Sequence, residues 1–131
     1  MKQLLFLALV LTTSCAYGQL TFEEYDDNNN LIDSTVTQSY RIYKIVNNDY
    51  IHLKEYNQYD SLTIDVTLVI MEKTTARNNT SYWVQNLKDE EYAISFADSS
   101  VGFKGVIYTY EDGYKALIRG NVTYYSVTSE Y

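Results

Sequence analysis

Residues 61–71, Ser-Leu-Thr-Ile-Asp-Val-Thr-Leu-Val-Ile-Met, decide the fold class. Leu62, Ile64, Val66, Leu68 and Ile70 fall at every second position, with Ser61, Thr63, Asp65 and Thr67 between them. A strand sends successive side chains to opposite faces, so this spacing gathers five aliphatic residues on one face. A helix would scatter them around its axis. Val69 and Met71 add apolar character to the other face near the far end. The segment is expected to be a central strand, covered fully on one side and partly on the other.

Outward from this segment the same pattern continues. Short runs rich in Tyr, Thr, Val and Ile alternate with turn clusters, and no stretch carries a helical period. There are 15 tyrosines and no proline. The turns must then be made by Asn and Gly, which tolerate the left-handed conformation that tight loops need. Eight or nine strands are expected, at about 20–26, 32–46, 50–56, 62–73, 81–87, 92–97, 101–111, 114–119 and 122–129.

Loop length sets register, and register sets which residues share a face. A three-residue loop at Asn47-Asn48-Asp49 pairs Ile45 with Ile51, Tyr43 with Leu53, and Arg41 with Glu55. A three-residue loop at Asn28-Asn29-Asn30 pairs Phe22 with Val36. Asp112-Gly113 reads as a two-residue hairpin loop. It pairs Ile107 with Ile118 and Thr109 with Ala116 on one face, and Tyr108 with Leu117 and Tyr110 with Lys115 on the other. Gly120-Asn121 reads equally as a tight turn or as a bulge in one long final strand.

Consecutive hairpins make an antiparallel meander of eight or nine strands. The expected architecture is a small up-and-down barrel, because closure removes exposed edges. The alternative is a two-sheet β-sandwich. In architecture alone this resembles lipocalin-like and other calycin-type barrels. The chain lacks the N-terminal Gly-x-Trp of lipocalins, since Trp83 is its only tryptophan. It also lacks the several tryptophans of avidin-type barrels, and no family is assigned.

The first eighteen residues read as a secretory signal peptide. Lys2 precedes the apolar run Leu4–Leu11, and Ala16-Tyr17-Gly18 offers a small-residue cleavage site before Gln19. Residues 19–131 then form a single all-β domain. The alternative is a lipoprotein anchored at Cys15, but Thr12-Thr13-Ser14 lacks the expected upstream leucine. Either way the apolar run is too short to span a bilayer.

Cleavage after Gly18 removes Lys2 and leaves nine basic against 17 acidic side chains, a net charge of −8. Such a surface repels nucleic acid and anionic membranes. The one cysteine, Cys15, leaves with the signal, which excludes a thiol nucleophile and a thiolate metal site.

Few residues suggest chemistry. His52 is the only histidine and, facing Lys44 on a strand, reads as a sheet-surface residue. Asp26-x-Asn28-x-Asn30 starts like a calcium loop, but Leu31 stands where Gly is required and Thr37 where Glu is required, so it reads as a turn. No catalytic residue, metal ligand or cofactor is expected. Asn78, Asn79 and Asn121 fit the glycosylation acceptor pattern. The candidate site is the tyrosine face of the Asp112-Gly113 hairpin: Tyr108, Tyr110, Lys115, Leu117 and Arg119. These tyrosines are expected to lie off the core and to be replaceable at less cost than Leu68. The expected function is secreted, non-catalytic binding of a small apolar or sugar-like ligand, in the barrel mouth or on that face. The alternative is a protein–protein module such as an inhibitor, adhesin or envelope component, with an acid–base hydrolase a distant third.

Overall fold

The computed structural model describes residues 19–76, 79–97 and 105–128. The expected signal peptide, Cys15, the Asn78 acceptor and the start of the strand expected from 101 lie outside the described residues. The described chain is all-β, without a helix. Its strands are β1 (Leu20–Tyr25), β2 (Leu31–Thr37), β3 (Ser39–Val46), β4 (Tyr50–Asn57) and β5 (Leu62–Ala76). They continue with β6 (Asn79–Gln85), β7 (Glu91–Ala97), β8 (Gly105–Tyr110), β9 (Lys115–Gly120) and β10 (Val122–Val127). The strand expected over 32–46 is two strands, broken at Gln38.

All ten strands lie in one sheet, in the order β10-β3-β4-β5-β6-β7-β8-β9-β1-β2. Every pairing is antiparallel except β10 with β3, which is parallel. The hydrogen-bonded ladder ends at β2 and β10, so the sheet is not closed into a barrel. This corrects the closed meander, and a single sheet also corrects the two-sheet alternative. The physical reason lies at two bends. A single residue, Gln38, carries the chain from β2, last in the order, to β3, second, and another, Asn121, from β9, eighth, to β10, first. At Gly120 the backbone has φ +106°, open to glycine, and Asn121 N donates to Gln19 O at 2.9 Å.

The open sheet is nevertheless rolled. β3 and β8 stand five places apart in the strand order, which in a flat sheet means about 24 Å. The hydroxyls of Tyr43 on β3 and Tyr108 on β8 meet at 2.7 Å. Only a sheet curled around its concave face allows this. That face holds the core: Leu20, Tyr43, Ile45, Ile51, Leu53, Leu68, Val84, Ile94, Val106 and Ile118 are all buried. Phe96 packs against Tyr43, Tyr82 and Tyr124 at 4.9–5.8 Å between ring centres and fills one end of the interior.

Ile64, Val66, Leu68 and Ile70 of β5 face inward, as the alternation requires. The other side of β5 is not covered. Val69 and Met71 are exposed, and Leu62 is lifted out where a bulge shifts the register at Glu55/Tyr56.

Four of the connecting turns share one build and lie at one end of the sheet: Asp26–Asn30, Asn57–Ser61, Asn86–Glu90 and Tyr110–Tyr114. In each, the first residue's N–H donates to the fifth residue's carbonyl, and the fourth residue has positive φ. The fourth residues are Asn29, Asp60, Asp89 and Gly113. In the first three turns the Oδ1 of Asp26, Asn57 or Asn86 also accepts backbone N–H groups two and four residues on. Asp26 is thus a turn residue, with its carboxylate accepting bonds from its own loop. Those bonds, that from the Asn30 backbone foremost, hold its pKa below the ordinary carboxylate value.

Candidate functional site

The fifth residues of those turns explain an error of register. Gly113 is the last residue of a three-residue loop closed by Tyr110 and Tyr114, with Gly113 N donating to Tyr110 O at 2.9 Å. The hairpin therefore pairs Val106 with Ile118, Ile107 with Leu117, and Tyr108 with Ala116. The expected pairing was one step away, and one step turns a strand's face over. Ile118 points inward as expected, but the assignment for β8 is inverted. Val106, Tyr108 and Tyr110 line the concave face, while Ile107 and Thr109 face out. The same slip occurs at the first hairpin, where Phe22 pairs with Thr35 rather than Val36. The Asn47-Asn48-Asp49 hairpin has the expected register, Arg41 opposite Glu55 included, with Asn47 and Asn48 both at positive φ.

The five candidate residues are therefore divided. Lys115, Leu117 and Arg119 face outward. Lys115 Nζ donates to Asn29 Oδ1 at 2.9 Å, and Arg119 Nε pairs with Glu23 at 3.1 Å. Tyr108 is buried and Tyr110 is half-exposed at the inner rim. His52 faces Lys44, as expected, with its Nδ1 3.0 Å from the Thr67 hydroxyl.

The inward tyrosines belong to a different site. At the turn end of the rolled sheet lies a cavity of about 360 Å³. Phe22, Leu53, Ile64, Val66, Leu68 and Ile118 make its aliphatic and aromatic walls. Tyr92, Tyr108 and Tyr110 form one side, with ring centres 5.5–6.4 Å apart. Their rings lie against one another and form a continuous aromatic ledge, with no slot between them.

Arg41 is the cationic group of the cavity, which Glu24 and Asn86 also line. It is 9% exposed, its Nε donates to Glu55 Oε1 at 2.5 Å, and its Nη1 donates to the Tyr43 hydroxyl at 2.9 Å. The guanidinium also lies 4.9 Å from the Phe22 ring centre. Burial works against its charge, but the Tyr43 and Tyr108 oxygens and the Glu55 bond outweigh it and raise its pKa. Burial likewise raises the phenol pKa of Tyr43 and Tyr108, and pushes Tyr92 up to about 12. All three stay neutral hydrogen-bonding groups at physiological pH.

Beyond Asn86, Tyr92 and Tyr110 the cavity opens into an acidic groove lined by Asp89, Glu90, Glu91, Glu111 and Asp112. Among the described residues no group of three His, Cys, Asp or Glu side chains is placed to hold a metal ion. No described helix is long and apolar enough to cross a membrane.

Arg41 and Glu55 were not among the expected site residues, although the sequence carried a signal for them. The correct β3–β4 register pairs them, and their spacing places them in phase with buried Tyr43, Ile45, Ile51 and Leu53. A charged pair in phase with an apolar face is either a buried ion pair or part of a site. Compared with protein families, curated proteins and solved structures, the chain matches none, so geometry alone carries its functional reading.

Proposed function

We propose that this chain is an exported, non-catalytic binding protein whose ligand is a small, largely apolar molecule seated in the cavity at the turn end of the sheet. One observation carries this reading. The interior is filled by Phe96 and its aromatic neighbours at one end, yet at the other it is hollow, with apolar side chains and rings making up most of its lining beside Glu24, Arg41 and Asn86. Its volume suits a small organic ligand, and a few placed polar groups among apolar walls are the usual build of such sites.

Titration with the apolar fluorophore N-phenyl-1-naphthylamine tests it. Wild type is expected to give a saturable rise in fluorescence. Ala116→Phe, which fills the cavity from β9, is expected to weaken binding at least about ten-fold while the thermal melt stays cooperative. A non-saturable signal, or one indifferent to Ala116→Phe, would overturn the reading.

The second reading is a protein–protein module. The acidic groove favours it, since a cationic segment of a partner would fit against Glu90, Glu91 and Glu111. It predicts binding of a basic peptide that weakens with salt and is indifferent to Ala116→Phe. Export carries its own test. The intact mass of the exported protein is expected to start at Gln19, whereas a diacylated Cys15 terminus would make it a membrane-anchored lipoprotein.

A further inference from the structure

We propose that the cavity selects ligands carrying an uncharged hydrogen-bond acceptor at their inner end and discriminates against carboxylates; this deepens the binding reading and rests on it. The argument begins with a count of donors. A guanidinium has five N–H bonds. Arg41 uses one on Glu55 and one on Tyr43, and the rest have no hydrogen-bond partner among the described residues. Tyr43 and Tyr108 bring two hydroxyl protons to a single shared contact of 2.7 Å, which uses only one of them. Arg41 and Tyr108 both line the cavity, so its wall holds spare donors on Arg41 and, when Tyr43 donates to Tyr108, the Tyr108 hydroxyl proton.

The spare Arg41 nitrogen is open to water in the cavity, since Thr37 Oγ1 is the one buried side-chain polar atom without a partner among the described residues. An occupant that covers it must replace water's bonds, so one that brings a carbonyl, ether or hydroxyl oxygen gains what a hydrocarbon cannot. A hydrocarbon would also displace any water held by those donors without replacing its bonds.

Charge decides which acceptor is taken. The Arg41 charge is already matched by Glu55 at 2.5 Å. Glu24 lines the same cavity, and the groove at its mouth is acidic. A ligand carboxylate would add another anion around one guanidinium and would lose its own hydration on entry. A neutral acceptor meets the same donors without either cost.

The test uses three molecules that share one ring system: naphthalene, 2-acetylnaphthalene and 2-naphthoate. Each is titrated by calorimetry at about pH 8, where the acid is ionised. The ketone is expected to bind about five-fold or more tighter than naphthalene, and at least about ten-fold tighter than naphthoate. Tyr108→Phe keeps the ring and removes the one hydroxyl of the pair that lines the cavity, and is expected to reduce the ratio of ketone to naphthalene affinity, both measured on that variant, about three-fold or more. The wild-type comparison decides the matter even where that variant does not fold. Naphthoate binding as tightly as the ketone, or a ketone no better than naphthalene, would overturn the inference while leaving the cavity as a binding site. Failure of all three molecules together with N-phenyl-1-naphthylamine would instead overturn the binding reading and this inference with it.

Discussion

Single residues show where this fold carries tension. The Thr37 hydroxyl, at the end of β2, is buried without a hydrogen-bond partner among the described residues. Thr37→Val removes that hydroxyl at nearly constant shape, and is expected to be neutral or to stabilise by up to ~1 kcal/mol in urea unfolding. The buried phenols give a pH dependence whose sign follows from their burial. Tyr92 titrates near 12 in the folded chain against 10.0 for a free phenol, so the neutral form is the one the fold favours. Its contribution is fully present below about pH 10 and is lost as pH rises toward 12, because the unfolded chain releases its proton first. Urea midpoints are expected to fall as pH rises from about 10 toward 12, with phenolate absorbance showing a late-titrating fraction. Tyr108→Ala removes a ring from the core and breaks the contact with Tyr43. It therefore belongs with Leu68→Ala among changes costing ~2–5 kcal/mol, contrary to the inexpensive replacement that the two-residue loop implied.

At the scale of elements, the bends matter more than the strands. β9 becomes β10 at Gly120, where a Cβ would stand 2.3 Å from the Gln19 carbonyl oxygen. Gly120→Ala therefore meets both a disfavoured φ and a backbone clash, and is expected to cost roughly 2–4 kcal/mol in thermal or urea unfolding. Alanine at an exposed strand position such as Thr123 is the control, expected to stay within about 1 kcal/mol. The strands themselves were legible because alternation is local. Leu62 to Ile70 announced β5, and Tyr43, Ile45, Ile51 and Leu53 announced the β3–β4 face. The hairpin at 110–114 was misread because Asp112-Gly113 suits two loop lengths, and the choice between them rests on Tyr110 and Tyr114 closing the turn. Three sister turns at 26–30, 57–61 and 86–90 repeat that closure, so the recurring spacing of an Asp or Asn with a left-handed residue three places on was a usable signal.

For the whole molecule, the non-local pairs hold the roll. β1 pairs with β9 across about 90–100 residues of chain and β10 with β3 across about 80, while the remaining pairs are hairpins between neighbours in the chain. β10 brings Val122 into the core and Tyr124 onto Phe96, with the Tyr124 hydroxyl donating to the Ala97 carbonyl. Removing residues 121–131 is therefore expected to abolish the cooperative melt seen by far-UV circular dichroism, although nine of the ten strands remain. A truncated chain that still melted cooperatively would show that the hairpins hold the roll unaided. The sequence by itself determined the all-β class, nearly all strand positions, the Asn-built turns and the β3–β4 register, because period-two alternation and left-handed turn residues act over a few positions. It also placed Arg41 opposite Glu55. Only the tertiary structure decided that one sheet rolls without closing, that Tyr108 faces inward, and that one end of the interior is filled while the other is hollow. Those outcomes depend on which distant side chains meet across the roll, Tyr43 with Tyr108 and Tyr124 with Phe96, and no local pattern encodes such meetings.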